Sequence, residues 1–196
     1  MAYGFALLTA VLVASGSWAG SIPRSSILIK DAGNQFLEAK RYADAIDCYF
    51  QALELSPNFS EAHYNLGVAF LRGYNATPLA LYHFERYLAL EPGAEDAESV
   101  GALVSTLRER TRTLRARPGE VLGVVAGRLV VAGGAWLRPG DRLQVSKEGE
   151  PPCAHLLAAY VYPDRALSQR IRDPGVLEQV REGMLAVNTS EWLTER

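Results

Sequence analysis

Residues 32–57 and 66–92 of this chain can be laid over one another. Ala32, Gly33, Asn34 and Phe36 fall on Leu66, Gly67, Val68 and Phe70 at a spacing of 34. Ala45, Tyr49, Ala52 and Pro57 fall on Ala80, Phe84, Tyr87 and Pro92 at a spacing of 35. One residue is therefore inserted between Phe70 and Ala80, and the stretch from Arg72 to Pro78 reads as the turn that takes it up. An echo of this period marks a helix–turn–helix unit that cannot bury its apolar face alone and stacks on a neighbour. Units of this kind build binding grooves and seldom carry chemistry.

The pattern resembles the tetratricopeptide repeat. The first unit carries that family's positions at Ala32, Gly33, Phe36, Ala45, Tyr49, Ala52 and Pro57. The second carries them at Leu66, Gly67, Phe70, Ala80, Phe84 and Pro92, with Tyr87 in place of the family's Ala. The bulk of Tyr87 is expected to loosen its packing on the next helix. Small residues let two antiparallel helices approach, aromatics fill the gap between them, and Pro57 and Pro92 stop each second helix. Thr77-Pro78 reads as an N-cap followed by Pro at the first helical position. The expected helices lie near 26–39, 43–55, 60–72 and 78–90, in repeats over about 26–59 and 60–93.

Two repeats need a neighbour to cover the last apolar face. Ala97, Val100, Leu103, Val104, Leu107 and Leu114 recur at helical spacing, so a capping helix is expected over 94–116, closing a repeat domain of 25–117. Its end carries Arg108, Arg110, Arg112, Arg115 and Arg117, opposed only by Glu109. With a net charge of −2 for the whole chain, these read as a solvated face suited to the negative end of the helix dipole, not as a nucleic-acid patch.

The first nineteen residues carry no charged side chain, and an apolar run from Phe5 to Ala14 leads into Ser17-x-Ala19. That small-x-small form is expected to be a signal-peptide cleavage site, placing the protein in the periplasm or facing outside. The absence of Lys or Arg before the run keeps open a membrane anchor over residues 5–19, or a buried apolar helix in a cytosolic protein. The two cysteines, Cys48 and Cys153, sit in separate halves, and nothing in the sequence asks for a disulfide between them.

After Arg117-Pro118-Gly119 helical spacing stops. Short β-branched runs follow at 121–125, 129–131 and 143–145, separated by Ala126-Gly127, Gly133-Gly134 and Pro139-Gly140-Asp141. Further apolar runs lie at 154–162 and 184–187. The order of these elements, with Leu137-Arg138-Pro139-Gly140-Asp141-Arg142-Leu143-x-Val145, resembles small β domains of bacterial envelope proteins, such as the C-terminal domain of a flagellar assembly protein. The chain is thus expected to be α+β: helical-hairpin repeats with a capping helix, then a small, mostly β, barrel-like domain over 118–190.

No constellation for chemistry is written in the chain. His63, His83 and His155 show no zinc-ligand spacing, Cys153-x-His155 lacks further ligands, and the glycine pairs do not open a phosphate-binding helix. No enzyme, cofactor or metal is therefore expected; an envelope enzyme using His155 or Cys153 is the remaining catalytic reading. The better candidate is the groove. In the tetratricopeptide family the first helix of each unit lines the concave face, which implies partner-binding positions at Lys30, Asn34, Leu37 and Glu38, and at Tyr64, Asn65 and Val68. Lys30, Asn34 and Asn65 match three positions of the clamp by which some members hold a peptide's terminal carboxylate. The third unit places Asp96 and Val100 where that clamp has cations. The expected function is a protein-interaction adaptor or scaffold of the cell envelope with a protein or peptide partner and no nucleic acid. A structural or self-associating protein whose groove is filled is the alternative.

Overall fold

The computed structural model describes residues 21–111, 118–134 and 137–188. The expected signal segment, Leu114, Arg112, Arg115 and Arg117 lie outside the described residues. Five helices come first: α1 (Arg24–Glu38), α2 (Tyr42–Leu55), α3 (Ser60–Tyr74), α4 (Thr77–Leu90) and α5 (Ala97–Thr111). Six strands and one short helix follow: β1 (Val121–Val125), β2 (Arg128–Ala132), β3 (Arg142–Ser146), β4 (Ala154–Val161), β5 (Arg165–Ser168), α6 (Pro174–Gln179) and β6 (Leu185–Asn188).

The two helical hairpins are set by glycine against aromatic. A Cβ at Gly33 would lie 2.6 Å from the ring of Tyr49, and one at Gly67 would lie 2.9 Å from the ring of Phe84. Both rings are buried, as are Ala45, Ala52 and Ala80 across the same interfaces. Helices α2 and α4 stop before Pro57 and Pro92, as a residue preceding proline disfavours helical geometry. The extra residue of the second unit is not in the turn. Lys40 and Asn75, both left-handed with φ of 56° and 48°, close α1 and α3 in the two units. Lys40 comes four positions after Phe36 and Asn75 five positions after Phe70, so the insertion lengthens the end of α3. Gly73 in that added stretch lies against the Tyr42 side chain at the start of α2.

Two further local expectations are corrected. Thr77 is the first residue of α4 rather than its cap, and its hydroxyl donates to the carbonyl of Asn75. Tyr87 does not loosen the next interface. Its ring meets Tyr64 edge-on and its hydroxyl donates to Asp96, just ahead of α5, so the bulk fills the approach to the capping helix. Helix α5 buries Val100, Val104 and Leu107. At its basic end Arg108 pairs with Glu85 and Arg110 donates to Asn75.

The strands form one antiparallel sheet in the order β1-β2-β5-β4-β3-β6. It curls into a half-barrel until Glu120, ahead of β1, bridges to Leu185 of β6. The curl encloses one core of Val121, Leu129, Val131, Leu143, Val145, Leu156 and Ala186. Strand β5 was not foreseen, because four residues between a turn and Gln169 are too few to show alternation. Strand β2 is buried along its whole length. Leu129 and Val131 face the barrel core, whereas Val130 joins the helical core, which explains an apolar run without alternation.

One irregularity seats the sheet on the helices. The β4–β5 register shifts between Ala158 and Tyr160. Ahead of the shift Ala154, Leu156 and Ala158 point into the barrel; beyond it Tyr160 and Tyr162 turn to the helical core. An extra residue in a strand inverts the faces that follow it. Tyr160 then stacks on Phe50 of α2 with ring centroids 3.7 Å apart and 10° between planes. The Arg128 guanidinium lies 5.2 Å from the Tyr160 centroid and pairs with Asp47 of α2 at 2.8 Å. Arg170 holds the other oxygen of Asp47 at 2.5 Å. Tyr160 also donates to Glu54.

Gly33→Ala and Gly67→Ala each force a methyl into an aromatic ring and lower unfolding stability by about 1–3 kcal/mol in chemical denaturation. Gly101→Ala, with open space around its Cβ on α5, raises it by about 0.5–1 kcal/mol in the same measurement. Asp47→Ala leaves Arg128, whose side chain is 9% exposed, without its carboxylate. The expected loss is about 3–5 kcal/mol, against less than about 0.5 kcal/mol for Glu150→Ala in its exposed pair with Lys147.

Candidate functional site

The first helices of the two hairpins, α1 and α3, line one side of the repeat, and they meet through a small polar cluster. Asn65 of α3 donates its amide Nδ2 to Asn34 Oδ1 of α1 at 2.9 Å. The hydroxyl of Tyr49 on α2 donates to the same oxygen at 2.9 Å. The ring behind Gly33 thus serves twice: its face fills the hairpin and its hydroxyl fixes the Asn34 amide. Burial pushes the Tyr49 hydroxyl well above its usual range, so it stays a donor. With its oxygen occupied, Asn34 keeps its Nδ2 donor, and Asn65 keeps its Oδ1 acceptor, with no partner among the described residues.

Lys30, one turn before Asn34, lies between two carboxylates. Its ammonium is 2.8 Å from Asp31 and 2.9 Å from Glu61, and only 12% of its side chain is exposed. The contact with Asp31, then that with Glu61, holds the ammonium above its usual range against the cost of burial. It also lies 5.9 Å from the centroid of the buried Phe59 ring. Lys30 is therefore a neutralised cation in this structure, not an open charge. Asp31 and Glu61 keep side-chain exposures of 51% and 65%.

The remaining positions line the two helices around this cluster. Leu37, Tyr64 and Val68 are half-buried against the helical core, and Glu38 is exposed. Tyr64 meets Phe84 and Tyr87 edge-on, so its ring is built into the hairpin. In the third unit Asp96 is taken up by Tyr87 and Val100 is buried, so neither supplies a cation. Sequence reasoning placed Asn34 and Asn65 on neighbouring helices. It did not foresee Tyr49 as their anchor or Glu61 as the partner of Lys30, because both contacts cross between helices.

The residues weighed for chemistry do not assemble. Cys48 and Cys153 are both free thiols. Burial, then the neighbouring Asp47, raises the Cys48 thiol above its usual range and disfavours the reactive thiolate. Cys153 donates to the Val145 carbonyl, and His155 stands exposed on β4 opposite Gln144. Among the described residues no group of three or more His, Cys, Asp or Glu side chains is placed to hold a metal. The other two histidines are buried at the joint with the sheet. The cross-joint contacts named above start from α2, and His83 and Tyr82 of α4 both meet Tyr162, just past β4; α1 and α3 carry the positions expected to line the groove.

The family match agrees with the helical architecture. A family model described as a TPR repeat matches residues 33–72, from α1 into α3. The peroxisomal targeting signal receptor of Candida albicans is 43% identical over 47 residues, which are 24% of this chain. The match spans 8% of the length of that receptor. Among solved structures, the first TPR of Spaghetti (RPAP3) bound to the HSP90 peptide SRMEEVD is similar with a TM-score of 0.40 and 21% identity. That likeness covers 44% of this chain and 68% of that one.

Proposed function

We propose that this chain, whose helical half is built of tetratricopeptide repeats, is a protein-interaction adaptor that holds an extended partner segment between α1 and α3. The observation that carries the reading is the amide pair. Asn34 Nδ2 and Asn65 Oδ1 offer one donor and one acceptor from adjacent helices, and Tyr49 holds them in place. A donor and an acceptor side by side match the backbone of an extended peptide, which presents the same two groups at each residue. Leu37 and Val68 offer apolar surface beside them, and Lys30 and Glu38 lie along the same helix as Asn34. A groove occupied by the chain's own sheet is the less supported reading, since the sheet's named contacts fall on α2 and α4.

Asn65→Ala is the clean test, because Asn34 keeps its bond from Tyr49, whereas Asn34→Ala strands a buried hydroxyl. Peptides selected from a random library on the full chain are expected to bind Asn65→Ala about two- to tenfold more weakly, the loss of one well-made hydrogen bond. The variant should unfold within about 1 kcal/mol of the wild type. Equal binding by Asn65→Ala and wild type would mean that the peptides sit elsewhere.

The setting we propose is the cell envelope, on the grounds of the apolar run and Ser17-x-Ala19 in the sequence. Edman sequencing of the protein purified from its own cells is expected to start at Gly20. A protein that still starts at Met1 removes the cleaved form and leaves an anchored one or a buried N-terminal helix in a cytosolic protein.

A further inference from the structure

Three polar side chains run in a buried line through the joint between the repeat and the sheet. His63 Nε2 of α3 is 3.0 Å from the carbonyl of Pro57. His63 Nδ1 is 3.0 Å from His83 Nδ1 of α4. His83 Nε2 is 3.0 Å from the hydroxyl of Tyr162, just past β4. His63, His83 and Tyr162 are 6%, 2% and 6% exposed. Each contact needs one donor and one acceptor, and for two neutral rings this fixes where every proton sits. A carbonyl only accepts, so His63 Nε2 carries a hydrogen and donates to Pro57. A neutral imidazole then has a bare Nδ1, which accepts from His83 Nδ1–H. The bare Nε2 of His83 in turn accepts from the Tyr162 hydroxyl. The line runs one way, from the sheet to the repeat, with both histidines neutral and in opposite tautomers.

We infer that this line is an acid-release latch: protonation of the His63–His83 pair breaks its order and loosens the seat of the sheet on α2 and α4. A proton added to His63 Nδ1 sets two N–H groups head to head. The clash is relieved only if His83 moves its own hydrogen to Nε2. That nitrogen then donates to Tyr162, whose hydroxyl hydrogen loses its partner in a buried site. A hydrogen added first at His83 Nε2 meets the Tyr162 hydroxyl hydrogen directly. Either route leaves an imidazolium or an orphaned donor in the apolar joint, where such groups are costly.

The surroundings offer such a charge no rescue. From α2, Asp44 and Asp47 are engaged by Arg170 and Arg128, and Glu54 accepts from Tyr160. From α4 come Tyr82, edge-on to His83, and Arg86, a cation that opposes charge on His63. At the start of α3 Ser60 donates to Glu91. From the sheet, Tyr160, Arg128 and Arg165 face Tyr162. Burial first, opposed in part by the Pro57 bond, lowers the His63 pKa below its ordinary 6.5; burial and then His63 lower that of His83 well below it. Because both folded-state values lie below the unfolded one, the contribution is fully present above about pH 6.5 and is lost as pH falls toward the folded values. A cleft of about 380 Å³, lined by Pro57, Asn58, His63, His83, Arg86 and Tyr162 among others, gives protons a way in.

Amide hydrogen exchange on the full chain reads the release. Corrected for intrinsic rates, the opening of α4 and β4 is expected to rise about fivefold per proton taken up between about pH 6.5 and 5.5, and to approach tenfold per pH unit below that. His63→Gln/His83→Gln, which can hydrogen-bond but not titrate, should lose that slope. An equal slope in the double variant, or none in the wild type, overturns the latch. Should the double variant fail to fold, nitrogen-resolved imidazole spectra of the His155→Gln protein decide. At about pH 7.5 they are expected to show one Nε2–H and one Nδ1–H neutral ring. Two rings in the same tautomer, or a charged one, overturn the latch equally.

Discussion

The distance between paired helices is the constraint on which the molecule rests. At Gly33 and Gly67 the facing aromatic ring occupies the space a side chain would need. Close approach fixes the tilt of each hairpin and puts the first helices on one side and the second helices on the other. The groove and the seat for the sheet are therefore two faces of one packing decision. Tyr49 shows the link directly: its ring closes the first hairpin and its hydroxyl orients Asn34 in the groove. A change that reshapes the hairpin therefore reaches the groove as well.

The seat for the sheet is costlier to build. Placing Arg128 at the joint strips water from a guanidinium, and attraction within a low-dielectric site offsets that only with good partners. The structure supplies Asp47, the Ser168 carbonyl and two aromatic faces. Of the three guanidinium nitrogens, Nε stays buried without a bond among the described residues. Because Asp47 is shared with Arg170, one carboxylate serves two cations, and the joint behaves as a network rather than as separate pairs. Polar joints of this kind specify a single docking geometry, because a shifted sheet would strand each of these groups.

What the sequence made legible was what repeats or alternates. The step from 34 to 35 revealed the hairpins, their glycines and their terminating prolines. The β-branched run Leu129-Val130-Val131 marked a strand, and the structure shows it covered on both faces. What stayed hidden depended on single residues or distant partners. The shift near Ala159 is an exception to a period, so Tyr160 and Tyr162 read as part of an ordinary strand. The extra residue of the second unit was assigned to a turn, because its true place in the last turn of α3 shows only when the left-handed residues Lys40 and Asn75 are aligned. His63 and His83, 20 residues apart, gave no sign of contact, since the register between α3 and α4 brings them together.

The charge pattern of the groove bears on what it can recognise. A carboxylate clamp works by leaving cations open to a ligand whose charge they alone satisfy. Here the one cation in the matching positions is already shared by Asp31 and Glu61, and the third unit contributes Asp96 and a buried Val100. A ligand carboxylate would have to displace two carboxylates from Lys30 before gaining anything from it, and screened surface attraction is too weak to favour that exchange. The neutral amides of Asn34 and Asn65 meet no such competition, because each retains an unused group after their mutual bond. Under the proposed function, recognition through backbone amides, indifferent to the end of the partner chain, is thus the mode that the pairing of these residues leaves open.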